Sequence, residues 1–147
     1  MRAVLQRVSK ASVRSSGYRA EIGPGLVILI GIGKDDSQED IDYIVDKSVN
    51  LRIFSDAENK MNLSVKDIKG EILAVPQFTL YGNCRKGRRP NFTQSADKDK
   101  GKEYFNRYIK KLKRTEIKVK KGLFGAEMKV NIVNNGPVTI ILDSGKK

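Results

Sequence analysis

The 147-residue sequence contains no histidine and a single cysteine, Cys84. Without histidine the chain cannot form a Ser-His-Asp triad, a Cys-His pair or an HExxH metal site. One cysteine excludes an internal disulfide, a zinc ribbon and an iron–sulfur cluster. We therefore expect no metal and no cofactor. Any catalysis would depend on carboxylates, lysines, hydroxyls, backbone amides or a group of the substrate.

Long apolar runs are also missing. No stretch approaches the roughly 18 apolar residues of a membrane-spanning helix, and the first seven residues carry too much charge for the apolar core of a signal peptide. With no possible internal disulfide, these features lead us to expect a cytoplasmic protein without a membrane anchor. The length and the scarcity of linker-like segments indicate one domain over residues 1–147.

Positive charge is abundant and unevenly placed. The chain has 29 basic and 17 acidic side chains, a net charge of +12. Residues 1–50 are neutral overall, whereas residues 84–121 contain fifteen basic and four acidic side chains. Arg85, Lys86, Arg88 and Arg89 fill four of five consecutive positions, with Gly87 between them. This concentration favours a polyanionic partner, RNA first, over a basic surface that only keeps the protein soluble.

Hydrophobic periodicity predicts a mixed α/β domain in the order β-β-β-α-β-α-β-β-β. The predicted strands are residues 2–14, 18–22, 26–32, 70–81, 116–120, 127–133 and 138–143. The first helix follows the capping residues 35–37 and ends near Leu51, and the second covers residues 97–113. By its turn chemistry, the segment 134–137 (Asn-Asn-Gly-Pro) is a hairpin connection between the last two strands.

Three segments carry groups suited to a binding site, each with a plainer alternative. Gln77, Phe78 and Thr79 follow an apolar strand and would present polar groups into a pocket, although an ordinary strand end has the same composition. Phe124 and Met128 would line an apolar pocket or pack in the core. The segment 31–34 has glycines and a lysine but lacks the spacing of a Walker or dinucleotide loop.

The order and spacing of several segments resemble the D-aminoacyl-tRNA deacylase family over essentially the whole chain. The segments that carry the resemblance are residues 1–8, 51–56, 60–62, 77–80, 87–92, 122–128 and 135–139. The resemblance implies hydrolysis of the ester between a D-amino acid, or glycine, and the terminal adenosine of tRNA, as a check on translation. It also implies a homodimer.

The resemblance assigns roles to particular residues. The family's Ser-Gln-Phe-Thr motif corresponds to residues 76–79, and Pro76 departs from it at the first position. A Gly–cis-Pro dipeptide corresponds to Gly136 and Pro137, which each subunit would insert into the partner's site to reject L-aminoacyl esters. In the family pattern Arg7 supports this dipeptide, and Phe124 and Met128 form the adenine pocket. Independently of the resemblance, the charge of the basic loop at residues 85–89 favours contact with phosphates of the acceptor end over a flexible solvated loop.

The missing histidine also bears on the mechanism. The Thr79 hydroxyl is a candidate nucleophile, but no evident base would activate it. Backbone N–H groups near Phe78 and Thr79 would stabilise the oxyanion. We therefore favour activation of water with help from the free ribose hydroxyl of the substrate, as the family is thought to work.

Two other functions remain open from the sequence. A non-catalytic RNA-binding module explains the charge, but leaves the segments 77–79 and 136–137 without a role. An esterase for a different small ester would share the fold, although the basic surface argues against a small uncharged substrate. Dependence of hydrolysis on tRNA and on the D configuration distinguishes these functions from a deacylase.

Overall fold

A computed structural model describes residues 1–146, so the final position of the predicted domain, residue 147, lies outside the described residues. The strands are β1 (Arg2–Ser15), β2 (Tyr18–Ile22), β3 (Gly25–Gly31), β4 (Phe54–Ser55), β5 (Met61–Leu63), β6 (Glu71–Pro76), β7 (Lys118–Lys121) and β8 (Lys129–Asp143). The helices are α1 (Gln38–Asn50) and α2 (Lys98–Lys113), and short 3-10 turns cover Phe78–Tyr81 and Ser144–Lys146. The predicted mixed α/β class is confirmed.

Local sequence chemistry explains both helices. Ser37 and Asp40 form a capping box at the start of α1, and the Asp97 carboxylate accepts a 2.9 Å hydrogen bond from the Lys100 N–H at the start of α2. Each helix buries one apolar stripe, with Phe105 and Tyr108 the largest buried side chains of α2. Within residues 1–146, neither helix has the length and apolar character needed to cross a membrane.

The main sheet has the strand order β2-β1-β3-β6-β7. Strand β8 lies off this path and also pairs with β1. Strands β3, β6 and β7 are parallel, and β1 is antiparallel to β2, β3 and β8. The Tyr18 hydroxyl of β2 donates a 2.6 Å hydrogen bond to the carbonyl of Lys121 in β7. The sheet therefore curls until its first and last strands nearly meet.

This curvature produces two hydrophobic cores. One lies between the sheet and the two helices, and β3 contributes Leu26, Ile28 and Ile30 to it. The other lies inside the curled sheet and contains Val27 of β3 and Val75 of β6. Central strands that are buried on both faces explain the continuous apolar runs in the sequence.

The predicted hairpin at residues 134–137 is wrong, because the last two predicted strands form one long strand, β8, along β1. Gln6 pairs with Thr139 and Val8 with Asn134, so residues 135–138 bulge out of the ladder opposite Arg7. The two halves of β8 pack on different cores. The bulge lies where β8 passes from one core to the other, a change that alternating polarity alone does not reveal.

Two other segments differ from the predicted elements. The strand predicted over residues 70–81 ends at Pro76, and the chain then turns through Phe78–Tyr81. The Gln77 N–H still donates to the Ile30 carbonyl at 2.7 Å, after which the Leu80 N–H bonds back to the Gln77 carbonyl. Strands β4 and β5, which are absent from the predicted element order, form a small antiparallel pair.

Candidate active site

A cavity of about 750 Å³ opens where β3 and β6 end. Its volume lies in the range of small-molecule sites. The lining side chains are Ile30, Ile32, Val75, Pro76, Gln77, Phe78, Phe92, Ser95, Ala96, Asp97, Lys98, Phe124, Ala126, Glu127, Met128 and Val130, with Gly101 and Gly125. The structure thus brings Gln77 and Phe78 to the same cavity as Phe124 and Met128. A second cavity, of about 760 Å³, lies at the opposite end of β6 beside Glu71 and contains none of the predicted residues.

The turn after β6 presents polar groups at the cavity. The Gln77 Nε2 donates a hydrogen bond to the Thr79 hydroxyl. The N–H groups of Phe78 and Thr79 are the first of the 3-10 turn, which has no earlier carbonyl of its own to accept them. An amide cannot take a proton from Thr79, so this geometry offers hydrogen-bond donors rather than an activated nucleophile.

Phe78 itself is 57% exposed and stands at the mouth of the cavity. Its ring contacts Phe92 edge-on, with 5.1 Å between the ring centroids. Such a pair resists reorientation better than a lone exposed ring. Sequence reasoning did not assign Phe92 to the site, and the signal for it was its place directly after the basic loop.

Pro76 is accommodated because it stands at the end of β6, where the ladder to β7 stops. Gln77 N–H donates toward β3, so the backbone nitrogen of the preceding residue faces the β7 side. Strand β7 ends at Lys121, which pairs with Ala74. The last hydrogen bond on that side runs from the Gly122 N–H to the Ala74 carbonyl at 2.8 Å. Pro76 has no N–H to continue this pairing, so it suits the end of the strand.

The opposite wall is fixed by packing. Phe124 contacts Phe105 of α2, with 6.2 Å between the ring centroids. A Cβ on Gly101 would lie 3.0 Å from the Phe124 ring, so the absence of a side chain there lets the ring approach the helix. The Met128 sulfur accepts a 3.3 Å hydrogen bond from the N–H of Leu123. These contacts hold an aromatic and a thioether surface in place against the cavity.

The bulge of β8 holds Gly136 and Pro137, joined by a cis peptide bond. Arg7 spans its base: Nε donates to the Asn135 carbonyl at 3.0 Å and Nη1 to the Ile53 carbonyl at 2.7 Å. The Val138 N–H donates to the Asn134 side chain at 3.0 Å. Gly136 and Pro137 are both exposed and do not line the cavity of their own chain. Arg7 thus adjoins the dipeptide, while the dipeptide is not brought together with residues 77–79.

The predicted phosphate-binding residues 85–89 lie in a distinct arm, residues 84–90. Asn83 and Asn91 close its base with two backbone hydrogen bonds of 2.8 and 3.0 Å. Arg85, Lys86, Arg88 and Arg89 are exposed, and none forms an ion pair within residues 1–146. Phe92 connects the arm to the cavity, so cationic groups stand beside an apolar pocket.

The titratable group nearest the turn is unsuited to act as a base. Burial raises the pKa of Tyr81 well above its ordinary value, and the neighbouring Asp36 carboxylate raises it further. The Arg2 guanidinium lies 4.6 Å from the centre of the Tyr81 ring. Across the described residues, no group of three histidine, cysteine, aspartate or glutamate side chains is placed to hold a metal ion.

Comparisons with known proteins identify the family of this chain. The family model described as D-Tyr-tRNA(Tyr) deacylase matches residues 4–143. D-aminoacyl-tRNA deacylase of Halothermothrix orenii is 55% identical over 148 residues, covering 100% of this chain and 99% of the relative. The Clostridium beijerinckii protein of the same name is 57% identical over 145 residues, covering 98% and 97%. The solved structure of a c-Myc DNA unwinding element binding protein superposes with a TM-score of 0.92 at 41% identity, covering 98% of this chain and 99% of that one. The chain belongs to the D-Tyr-tRNA(Tyr) deacylase family.

Proposed function

We propose that the protein hydrolyses the ester of D-aminoacyl-tRNA, releasing the free D-amino acid and tRNA, and acts likewise on mischarged glycyl-tRNA. It would do so as a single cytoplasmic domain that checks the products of aminoacylation. The observation that carries the proposal is the cavity itself, where the Gln77–Phe78 turn faces the Phe124–Met128 wall beside a basic arm. That combination suits an ester with an aromatic base on one side and phosphates on the other.

The Phe124–Met128 wall and the basic arm would bind different parts of the substrate. The terminal adenine would stack on Phe124 and contact Met128, an interaction worth about 1–3 kcal/mol per base. Phosphates of the acceptor end would bind Arg85, Lys86, Arg88 and Arg89 on the arm. The ester is then left at the turn, next to Phe78.

The chemistry proposed for the turn needs no protein nucleophile. The N–H groups of Phe78 and Thr79 would donate to the oxyanion as the tetrahedral intermediate forms. The hydrogen bond from the Gln77 amide to the Thr79 hydroxyl supports a mechanism without a protein nucleophile. The amide is the donor at that contact, so it does not accept the hydroxyl proton. Water would be activated by the free ribose hydroxyl of the substrate, and the ester oxygen leaves with the tRNA.

Chirality would be read by a second subunit. Gly136 and Pro137 protrude from the sheet, away from the cavity of their own chain, so they can reach an ester only in a partner's cavity. Strand β8 is an edge strand with exposed Val133 (45%) and Ile141 (73%), as an interface between copies requires. In the homodimer the dipeptide carbonyls would accept hydrogen bonds from the substrate amino group and exclude an L side chain.

The direct test is hydrolysis of D-tyrosyl-tRNA and L-tyrosyl-tRNA by the purified protein in the presence of a chelator. We expect rapid loss of the D ester alone. Loss of neither ester with tRNA still bound would favour the non-catalytic RNA-binding module. Hydrolysis of small esters without tRNA would favour the alternative esterase.

Subunit complementation tests the shared site. Gly136→Ala damages the contributed dipeptide, and Phe78→Ala damages the receiving cavity. Co-refolded in equal amounts, two inactive variants would regain about a quarter of the wild-type activity, since half of the dimers carry one intact composite site of two. A mixture as inactive as its parents, although hybrid dimers are detected by mass, would rule out a shared site.

A further inference from the structure

Six of the seven cations of α2 fall into two groups with different surroundings. On the side that faces α1, Lys111 pairs with Asp42 and Arg107 with Glu103. Lys100 there donates a 2.5 Å hydrogen bond to the Lys34 carbonyl. These side chains are engaged by the fold itself.

The other flank carries Lys98, Lys102 and Lys113, all exposed. At 100° per residue they lie within an arc of about 60° beside the buried stripe of the helix. None of the three has an ion pair or a side-chain hydrogen bond within the described residues. The fold therefore leaves this flank open to an external anion.

The flank begins at the candidate active site. Lys98 is the first residue of α2 and lines the cavity. Lys102 follows about 6 Å further along the helix axis, and Lys113 about 22 Å from Lys98. Phe92 lies at the same cavity, so the basic arm and this flank both adjoin it.

Helix electrostatics do not account for Lys98 and Lys102. Cations are favoured in the last turn of a helix, which explains Lys110 and Lys113 without any ligand. Lys98 stands in the first turn, where the helix dipole is unfavourable to positive charge, and Lys102 follows it by four residues, a spacing at which like charges repel. An anion bound by both lysines would relieve this repulsion.

We propose that the flank formed by Lys98, Lys102 and Lys113 is a second RNA-backbone surface, which binds phosphates of the acceptor stem beyond the terminal adenosine. The proposal rests on the proposed function, because it takes tRNA as the partner. A cavity of about 750 Å³ suits the terminal nucleotide and its amino acid, so the remainder of the acceptor end must leave along the surface. The unpaired cations of the flank are spaced to follow it.

The test measures binding of uncharged tRNA and of the trinucleotide CCA by fluorescence anisotropy, over a series of salt concentrations. The variant K102Q/K113Q removes two outer cations of the flank and keeps Lys98 at the cavity. The control K66Q/K69Q removes equal charge from exposed lysines beside the second cavity. Glutamine retains high helix propensity, so α2 is preserved.

We expect K102Q/K113Q to raise the ratio of the Kd for tRNA to the Kd for CCA about fivefold to tenfold, and to reduce the salt slope for tRNA by about two. The control should leave the ratio within about twofold. Equal effects of both variants, or an unchanged slope for K102Q/K113Q, would overturn the proposal. The assay involves no hydrolysis, so a protein inactive on D-tyrosyl-tRNA would contradict the proposed function separately from this surface.

Discussion

At the scale of single residues, the contacts of Gly136 with Arg7 and Val138 leave no room for a side chain. A Cβ on Gly136 would lie 2.7 Å from Nη2 of Arg7 and 2.9 Å from Cγ2 of Val138. The φ of Gly136 is +127°, a conformation that L residues rarely adopt. Glycine is therefore required at this position by contact and by conformation together.

We predict that Gly136→Ala lowers kcat/KM for D-tyrosyl-tRNA by about a hundredfold or more, since displacing Arg7 moves the dipeptide by a distance that matters at a reacting centre. The dipeptide is exposed, so the fold should remain intact, although the positive φ lowers the unfolding midpoint in urea. Gly17→Ala is the matched control: Gly17 also has positive φ (+67°), and nothing lies within 4 Å of its added Cβ. Equal activity of both variants would remove Gly136 from the site.

For Thr79 we predict that substitution has little effect on kcat/KM. Its hydroxyl accepts a hydrogen bond from Gln77, and within residues 1–146 it donates none to a basic group. We expect Thr79→Ala to keep kcat/KM within about tenfold of the wild type, because the backbone N–H remains in place for the oxyanion. Single-turnover hydrolysis with saturating protein measures this. A loss above about a thousandfold with normal tRNA binding would instead indicate a nucleophilic hydroxyl.

At the scale of elements, the end of β6 explains why Pro76 is tolerated. Its backbone nitrogen faces the side where β7 has already ended, so the strand keeps its hydrogen bonds to β3. Proline also restricts the unfolded chain. A proline at this position therefore adds stability without a cost in the ladder.

We accordingly predict that Pro76→Ser lowers the free energy of unfolding by about 0.4–1 kcal/mol. Urea denaturation monitored by circular dichroism measures the change, with an unchanged m-value as the check on two-state behaviour. A serine variant more stable than the wild type would mean that the N–H at residue 76 finds an acceptor. That outcome would contradict the orientation inferred for this part of β6.

The basic arm is expected to act on binding rather than on chemistry. Replacing Arg85, Lys86, Arg88 and Arg89 with glutamine should raise KM for D-aminoacyl-tRNA about tenfold or more and leave kcat nearly unchanged. It should also flatten the salt dependence of kcat/KM, because fewer counterions are released on binding. A salt slope equal to that of the wild type would argue against phosphate contact.

At the scale of the whole molecule, carboxylates and not histidines set the response to pH. Hydrogen bonds from the Ser64 backbone and hydroxyl lower the pKa of Asp67. The hydrogen bond from the Lys118 ammonium, with that from the Gly23 N–H, lowers the pKa of Glu71. Groups with lowered pKa stabilise the fold above their ordinary values near 4, and this contribution is lost as the pH falls through the lowered values.

We predict a urea midpoint that is nearly constant from about pH 5.5 to 8 and declines below about pH 4. Asp67→Asn should weaken the decline, because one of the responsible carboxylates is gone. Fluorescence-monitored unfolding across this range is sufficient, using the five tyrosines. A midpoint that changes steeply between pH 6 and 7.5 would contradict the prediction, since the chain has no histidine to titrate there.

The fold was predictable where local chemistry and burial agree. Helix α2 was expected from residue 97, and it begins at Lys98 after the Asp97 cap. Strand β2 has the predicted bounds. The prediction was wrong at residues 134–137, because Asn-Gly-Pro chemistry suits a bulge as well as a hairpin, and only pairing with β1 distinguishes the two.

The composition by itself excluded histidine chemistry and an internal disulfide. The spacing of short segments was sufficient to indicate the family, because spacing is a property of the chain read in order. Which residues share a cavity depends on the curl of the sheet. That curl brings Phe124 and Met128 to Gln77 and Phe78, and turns Gly136 outward. It also adds Phe92, which follows the basic loop, and Lys98, which no local pattern marked. Contacts between distant segments form when the sheet curls and buries a hydrophobic core on each of its two faces. Only the tertiary structure therefore decided them.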